Sequence, residues 1–205
     1  MRSHKDPLPH LPKRVLVAGV SGVGKTTLAG RIAAHTGGPH TEIDALFHGP
    51  AWTPRPQFLA DVGSLIRTGA WTTEWQYDAA RPLLAGNADL LVWLDFPFVR
   101  VTLPRLIRRT IRRRLSREEL WNGNIEAPLW MVLTDRDHIV RWAIRSRRNY
   151  TAAVPRLIHE YPDLIVVRLR SQQEAEAWLS GPLAAAAGAD APDEQRKPLA
   201  CPDDC

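Results

Sequence analysis

Residues 19–26 read Gly19-Val20-Ser21-Gly22-Val23-Gly24-Lys25-Thr26 and fit the pattern G-x-x-x-x-G-K-[ST] at every fixed position. A short β-branched run, VLVA at 15–18, precedes this stretch. TLAGRIAA at 27–34 follows it, with apolar residues at helical spacing. Between a strand and a helix, the glycines of such a loop let backbone N–H groups turn toward phosphate oxygens, and the helix N-terminus adds partial positive charge. The stretch therefore predicts a Walker A phosphate loop.

The loop side chains have separate expected roles. Lys25 can reach the β- and γ-phosphates of a nucleoside triphosphate, and the Thr26 hydroxyl can hold Mg²⁺. We expect the whole loop, together with the adjacent Thr27, to bind ATP. The alternative is a glycine-rich turn that matches by chance, and the flanking strand and helix disfavour it.

Length and composition indicate one globular domain. The chain has 205 residues, of which 44% are hydrophobic, and no apolar run approaches the roughly 20 residues that a membrane span needs. The N-terminal stretch lacks the apolar core of a signal peptide, so we expect a cytoplasmic protein with no membrane partner. Both cysteines, Cys201 and Cys205, lie in the last five residues. They are expected to be reduced thiols, and a metal site there is the weaker alternative.

Charge points to an anionic partner. The formal net charge is +5, with 23 Arg against 4 Lys. A positively charged surface of this kind could bind either nucleic acid or a nucleoside triphosphate.

Strands alternate with helices along the chain. Apolar runs predict strands at 14–18, 40–44, 70–74, 88–95 and 163–170, and helical patterns lie between them at about 25–35, 57–68, 79–85, 98–115 and 135–160, with a closing helix at 171–179. This alternation predicts a parallel, doubly wound α/β sheet with five strands. We expect a flexible arm at 1–13, a main domain at 14–180 and a disordered tail at 181–205.

Three acids end three of these strands, namely Asp44, Glu74 and Asp95. Ligands of open parallel sheets gather at the carboxyl ends of strands. An acid at the end of an apolar strand commonly helps to hold Mg²⁺, and Asp95 fits that pattern better than Glu74 because two threonines interrupt the strand before Glu74. For either acid, a helix cap or an ion pair with a nearby arginine is the alternative.

Asp44 precedes a loop with three prolines, two aromatic residues and a histidine. A carboxylate there could accept the proton of an acceptor hydroxyl. Capping the following turn is an equally acceptable role for it.

Six arginines fall within positions 105–114. They could form a solvated helix face, a nucleic-acid surface, or a lid that stabilises charge on a transferred phosphoryl group. The cluster follows a sheet strand in a chain with a phosphate loop, which favours the lid. At i, i+4 spacing, Arg105, Arg109 and Arg113 are the three expected to face the nucleotide.

The chain resembles the P-loop kinases grouped with adenylate kinase, specifically the branch often labelled "topology modulation protein" or FlaR-like. The resemblance spans residues 14–179, and its segments are VLVAGVSGVGKTTLA, EIDALFHGPAWTP, GAWTTEWQY, ADLLVWLDFP, RRTIRRRL…ELWNGNIE and VVRLRSQQEAEAWL. Relatives commonly read W-V-x-D-G-N-Y where this chain has Trp71-Thr72-Thr73-Glu74-Trp75-Gln76-Tyr77. The acid is kept as Glu74, and Trp75 replaces the glycine.

The resemblance implies a three-layer α/β/α P-loop fold with sheet order 2-3-1-4-5 and an arginine-rich helical lid at about 100–150. It implies that Glu74 is the metal-side acid and that Arg170 and Ser171 belong to the adenine-binding segment. The expected acceptor side comprises Asp44, Phe47, Trp52, Tyr77 and Arg81.

Together these features predict a kinase that transfers phosphate from Mg-ATP to a nucleoside, a nucleotide or another small molecule. A nucleotide-dependent ATPase or switch is the main alternative. A nucleic-acid-associated ATPase is a weaker one, because no aromatic residues are interleaved with the arginines.

Overall fold

The protein is described by a computed structural model over residues 1–132, 134 and 138–190. Four parallel strands form its sheet, and they are β1 (Arg14–Ala18), β2 (Trp71–Glu74), β3 (Leu90–Leu94) and β4 (Ile165–Leu169). Their order is β2-β1-β3-β4, which places the strand before the phosphate loop at the centre. Strands β2 and β3 are buried along their whole length, as expected for a sheet covered on both faces.

Helices connect the strands. The α-helices are α1 (Lys25–Thr36), α2 (Ile43–Phe47), α3 (Phe58–Ile66), α4 (Arg81–Ala85), α5 (Leu103–Leu115), α6 (Ile139–Ser146), α7 (Asn149–Glu160), α8 (Gln172–Trp178) and α9 (Ala184–Asp190). Short 3₁₀ turns occur at Pro50–Trp52, Trp121–Gly123 and Leu129–Val132, and π-type turns at Phe98–Thr102 and Leu179–Leu183. The predicted alternation of strands and helices is confirmed.

The predicted strand at 40–44 is wrong, so the sheet has four strands rather than five. His40 forms a single parallel bridge to Thr72, and the chain then leaves the sheet. The side chain of Glu74 accepts the N–H of Ile43 at 3.0 Å, which starts α2 where a strand would continue. Without that strand, the expected order 2-3-1-4-5 reduces to the observed β2-β1-β3-β4. Asp44 consequently lies in the first turn of α2 and does not end a strand.

Two predicted helices are each interrupted. The expected helix at 98–115 begins with the π-type turn Phe98–Thr102, and α5 follows from Leu103. The expected helix at 135–160 is divided into α6 and α7, and residues 135–137 lie outside the described part of the chain.

Both ends of the described chain pack on the domain. Within the expected N-terminal arm, the Arg2 N–H donates to Val166 O at 2.7 Å and Arg2 O accepts from Arg168 N at 3.0 Å, which covers part of the β4 edge. Part of the expected disordered tail forms the helix α9, in which Ala186 is buried, and Leu183 just before it is buried as well. Cys201 and Cys205, for which reduced thiols are predicted, lie outside the described residues.

The main core lies around the sheet and α1, with Trp71 and Trp178 among its largest fully buried side chains. A smaller cluster joins α5 to α6 through Leu106, Val140 and Ala143. Across the described residues, no helix is long and apolar enough to span a membrane.

Candidate active site

The phosphate loop has the backbone geometry that its glycines predict. Gly19, Gly22 and Gly24 have φ of 150°, 84° and 106°, values that side chains rarely tolerate. A Cβ on Gly22 would stand 2.7 Å from Leu106 Cβ, so the loop lies directly against α5. The arginine helix is thereby positioned beside the expected phosphates.

Lys25 is buried, with 9% of its surface exposed, and its ammonium donates to Val20 O at 3.4 Å. Since that single long hydrogen bond uses one of three donors, the other two remain for phosphate oxygens. Thr26 and Thr27 are exposed at the start of α1, while Val20 and Val23 pack into the core and Ser21 is half-buried between them.

Glu74 lies beside the phosphate loop. It is only 3% exposed, and it accepts hydrogen bonds from the Ile43 N–H and pairs with His40 Nε2 at 3.3 Å. Burial alone would raise the pKa of Glu74, but the His40 ring, the Ile43 N–H and the Thr26 hydroxyl lower it below its ordinary value. Glu74 is therefore a carboxylate next to Thr26.

The Glu74 carboxylate and the Thr26 hydroxyl fit a magnesium ion, which prefers oxygen ligands. In the part of the chain that the structure describes, no group of three or more His, Cys, Asp or Glu side chains could enclose a metal. A bound Mg²⁺ would therefore draw most of its ligands from phosphate oxygens and water.

Asp95 is engaged differently. It accepts two hydrogen bonds from the Arg168 guanidinium, one of them from Nε at 2.9 Å. This is the ion pair that the sequence left open as the alternative to a metal ligand. Asp95 still lines a cleft at the ends of β3 and β4.

That cleft has a volume of about 470 Å³. Its walls are formed by Asp95, Phe96, Pro97, Phe98, Arg147, Arg148 and Arg170. Ser171 caps α8 by accepting the Glu174 N–H at 3.1 Å, and the Arg170 N–H donates to the Glu174 carboxylate at 2.8 Å. Three arginines and two aromatic rings next to the phosphate loop could accommodate the base and ribose of a nucleotide.

Asp44 faces the residues that follow β2. Its Oδ1 accepts hydrogen bonds from Gln76 Nε2 at 2.9 Å and from the Tyr77 hydroxyl at 2.6 Å. The Tyr77 oxygen also lies 3.0 Å from His48 Nε2. The Tyr77 hydroxyl thus lies between Asp44 and His48, and the His48 ring also interacts with the backbone of Trp52.

The pKa values of this network favour one protonation state. Burial raises the pKa of Tyr77, and the neighbouring Asp44 charge raises it further. Burial lowers the pKa of His48, although Asp44 opposes the shift. At neutral pH, Tyr77 and His48 are therefore neutral.

Aromatic rings line the same region. Phe47 stacks on Tyr77 with ring centroids 3.9 Å apart, and His48 packs against Trp52 at 5.0 Å and Trp121 at 6.3 Å. These contacts form one apolar wall beside Asp44.

The loop at 48–53 is joined to the segment at 121–125 by hydrogen bonds; we call this junction the clasp. Asn124 is the centre of the clasp, because its Oδ1 accepts the Trp52 N–H at 3.0 Å and its Nδ2 donates to Gly49 O at 2.9 Å. Asn122 Nδ2 donates to His48 O at 2.5 Å, and Trp121 Nε1 donates to Glu42 at 3.0 Å. The clasp therefore connects the segment that follows α5 to the loop that follows α2.

Replacing Asn124 with alanine is expected to open the clasp. Asn124 is 4% exposed and its amide makes three hydrogen bonds, so its loss leaves buried backbone groups unsatisfied. We expect the free energy of unfolding to fall by about 2 kcal/mol in urea denaturation, and the Trp52 amide to exchange its hydrogen faster. Asn87→Ala is the matched control, because Asn87 makes one exposed hydrogen bond to Leu83 O. Equal stability of the two variants would contradict this role.

The three expected lid arginines divide between two neighbourhoods. Arg105 is exposed, with its guanidinium 6.0 Å from the Phe96 ring and 3.5 Å from Gln172, on the side of the cleft. Arg109 and Arg113 instead face Glu126, at 3.9 Å and 3.6 Å from its Oε1.

Arg81, the arginine expected on the acceptor side, contacts Asp78 at 2.6 Å. Its guanidinium also lies over the rings of Trp75 and Tyr150, at 4.8 Å and 5.2 Å. Trp75 therefore packs on Arg81.

Several residues of the site were missed by sequence reasoning. They are His48, Asn124, Glu126, Arg147 and Arg148. Asn122 in ELWNGNIE was a usable signal for the clasp, since Asn tolerates the positive φ of 57° that it has there. The remaining contacts arise from tertiary packing that no local pattern encodes.

Comparisons with known proteins identify the fold. No family model matches the sequence, and no curated protein matches it. A gluconokinase from Sinorhizobium meliloti 1021 matches with a TM-score of 0.50 and 20% identity, over 88% of this chain and 96% of that chain. A shikimate kinase from Bacteroides thetaiotaomicron has a TM-score of 0.46 and 14% identity, over 82% of this chain and 95% of that chain. A sugar kinase from Janibacter sp. HTCC2649 has a TM-score of 0.41 and 21% identity, over 82% of this chain and 90% of that chain.

At these identities the likeness shows the fold alone. The chain has the three-layer α/β/α P-loop kinase-like fold with a parallel sheet. The narrower FlaR-like resemblance stays a prediction.

Proposed function

We propose that the protein is a kinase that transfers the γ-phosphoryl group of Mg-ATP to a hydroxyl of a small molecule. The observation that carries this proposal is the position of Asp44. Its carboxylate is held by Gln76 and Tyr77, while no hydrogen bond within the described residues occupies its Oδ2. A simple nucleotide hydrolase has no need of a second carboxylate site walled by aromatic rings.

The donor half is the phosphate loop. Lys25 and the loop N–H groups hold the β- and γ-phosphates, and Thr26 with Glu74 holds Mg²⁺, which neutralises phosphate charge when bound. The cleft bounded by Phe96 and Arg170 takes the base and ribose. Asp95 supports that cleft through Arg168.

In the transfer step, the acceptor hydroxyl oxygen forms a bond to the γ-phosphorus. The bond from that phosphorus to the β,γ-bridging oxygen breaks, and ADP leaves with the electron pair. Asp44 takes the hydroxyl proton. Tyr77 and His48 orient Asp44, and Arg105 stabilises charge on the nucleotide side.

The test is a screen of nucleosides, nucleotides and small hydroxylated metabolites for acceptor-dependent ADP release from Mg-ATP. The proposal predicts that at least one class raises ADP release well above the rate with ATP alone. If no compound in a broad panel does so, the protein is an ATPase or switch, and the transfer function is refuted.

A further inference from the structure

Arg109 and Arg113 lie one turn apart on α5 with unused hydrogen-bonding capacity. Their side chains are 33% and 19% exposed. Among the described residues, Arg109 Nε makes no hydrogen bond, and Arg113 Nε makes only an ion-pair contact of 3.2 Å with Glu118 Oε1, although each guanidinium carries five donors. The contact of Arg109 with Glu126 is 3.9 Å long, whereas charge-assisted hydrogen bonds are about 2.7–2.9 Å.

Glu126 is a poor match for two arginines. It is buried, and both guanidiniums approach the same Oε1 atom, at 3.9 Å and 3.6 Å. Glu118 adds a partly exposed contact to Arg113 alone, at 3.2 Å. A planar anion with two or three oxygens could accept forked hydrogen bonds that one carboxylate oxygen cannot.

The pair lies farther along α5 than the residue that contacts the phosphate loop. Leu106 packs on Gly22 of the phosphate loop. At about 1.5 Å of rise per residue, Arg109 is about 4.5 Å and Arg113 about 10 Å farther along the helix. Arg105 lies at the other side of this contact, near Phe96 and Gln172.

Arg109 is the member of the pair whose charge interacts with that of Asp44. Burial lowers the pKa of Arg109, the adjacent Arg113 lowers it further, and the charges of Glu126 and Asp44 act in the opposite direction. Arg109 therefore lies within electrostatic reach of the proposed catalytic carboxylate. Arg81, by contrast, has its charge engaged by Asp78, Trp75 and Tyr150.

We propose that Arg109 and Arg113 form an anion subsite on the acceptor side, so that the acceptor carries a carboxylate or phosphate in addition to its reacting hydroxyl. This inference rests on the proposed kinase function. The hydroxyl binds at Asp44, and the anionic group binds at the two guanidiniums. Glu126 contacts both guanidiniums in the absence of the acceptor.

The experiment compares acceptors that differ only in charge. Glycerol and D-glucitol are the neutral references, D-glycerate and D-gluconate are the carboxylate members, and glycerol 3-phosphate and D-glucitol 6-phosphate are the phosphate members. ADP release from Mg-ATP is measured for each, with the wild-type protein and with Arg109→Gln and Arg113→Gln. Arg112→Gln is the matched control, because Arg112 is exposed on the same helix.

We expect a charged member to exceed its neutral reference in kcat/KM on the order of 100-fold, and the Arg113→Gln variant to lose most of that preference. Arg113→Lys should restore only part of it, because an ammonium lacks the fork. The KM for ATP should stay within about twofold in Arg113→Gln and in the Arg112→Gln control. The arm that responds, carboxylate or phosphate, identifies the anion.

Two results would overturn the inference in distinguishable ways. If neutral acceptors are phosphorylated as well as charged ones, or if Arg113→Gln slows both equally and raises the KM for ATP, the arginines serve the triphosphate and the kinase function stands. If no member of any pair stimulates ADP release, the kinase function fails and the subsite with it.

Discussion

Replacing Lys25 with alanine is expected to lower kcat for phosphoryl transfer by about 1000-fold or more, while the protein stays folded. The lysine ammonium is buried at the phosphate loop and makes one long hydrogen bond, to Val20 O at 3.4 Å. Its charge is therefore available to the β- and γ-phosphates, where it stabilises the charge that moves onto the leaving ADP. The measurement is acceptor-dependent ADP release with saturating Mg-ATP.

Stability separates this effect from misfolding. Since the Lys25 ammonium makes only one long hydrogen bond among the described residues, its removal should leave the urea midpoint almost unchanged. Lys13→Ala is the matched control, because Lys13 is an exposed lysine just before β1. Turnover of Lys25→Ala within tenfold of wild type would contradict the proposed donor site.

Replacing Asp44 with asparagine is expected to lower kcat on the order of 1000-fold with little change in the KM for ATP. The amide keeps the shape of the carboxylate but cannot take the hydroxyl proton. Its amide oxygen can still accept the hydrogen bonds from Gln76 and Tyr77, which both end on Oδ1. The readout is the kcat and KM of the best acceptor found in the screen.

Asp78→Asn provides the control for this change. Asp78 is also an aspartate after β2, but its side chain is 93% exposed and contacts Arg81. We expect Asp78→Asn to keep kcat within about threefold of wild type, since exposed ion pairs contribute little. A loss as large as that of Asp44→Asn would mean that negative charge near β2, and not a base at Asp44, is what transfer requires.

Local sequence patterns predicted the backbone conformation around residues 14–36. The run at 15–18, the glycines and the helix after Lys25 each encode their own conformation, so strand, loop and helix follow from neighbouring residues. The strand at 40–44 was wrong because the decisive group is distant in sequence. Glu74, some 30 residues later, accepts the Ile43 N–H and starts a helix there.

The surroundings of Asp44 could be predicted from the sequence only in part. Asp44, Tyr77 and Phe47 were expected on that side, and the structure brings them together. The contact of Asn124 with Gly49, and the contact of Arg113 with Glu126, join residues that are far apart or lie on opposite sides of a turn. Such contacts depend on where α5 and the clasp pack, which no periodicity in the sequence records.

The most direct measurement follows the labelled γ-phosphate of ATP in the presence of the acceptor panel. The protein is incubated with γ-³³P-labelled Mg-ATP, and the products are separated before and after treatment with alkaline phosphatase. The account predicts that the label appears in a phosphatase-sensitive ester of the acceptor, in equal amount to the ADP formed and absent with Lys25→Ala. Recovery of all the label as inorganic phosphate, whatever acceptor is added, would contradict it.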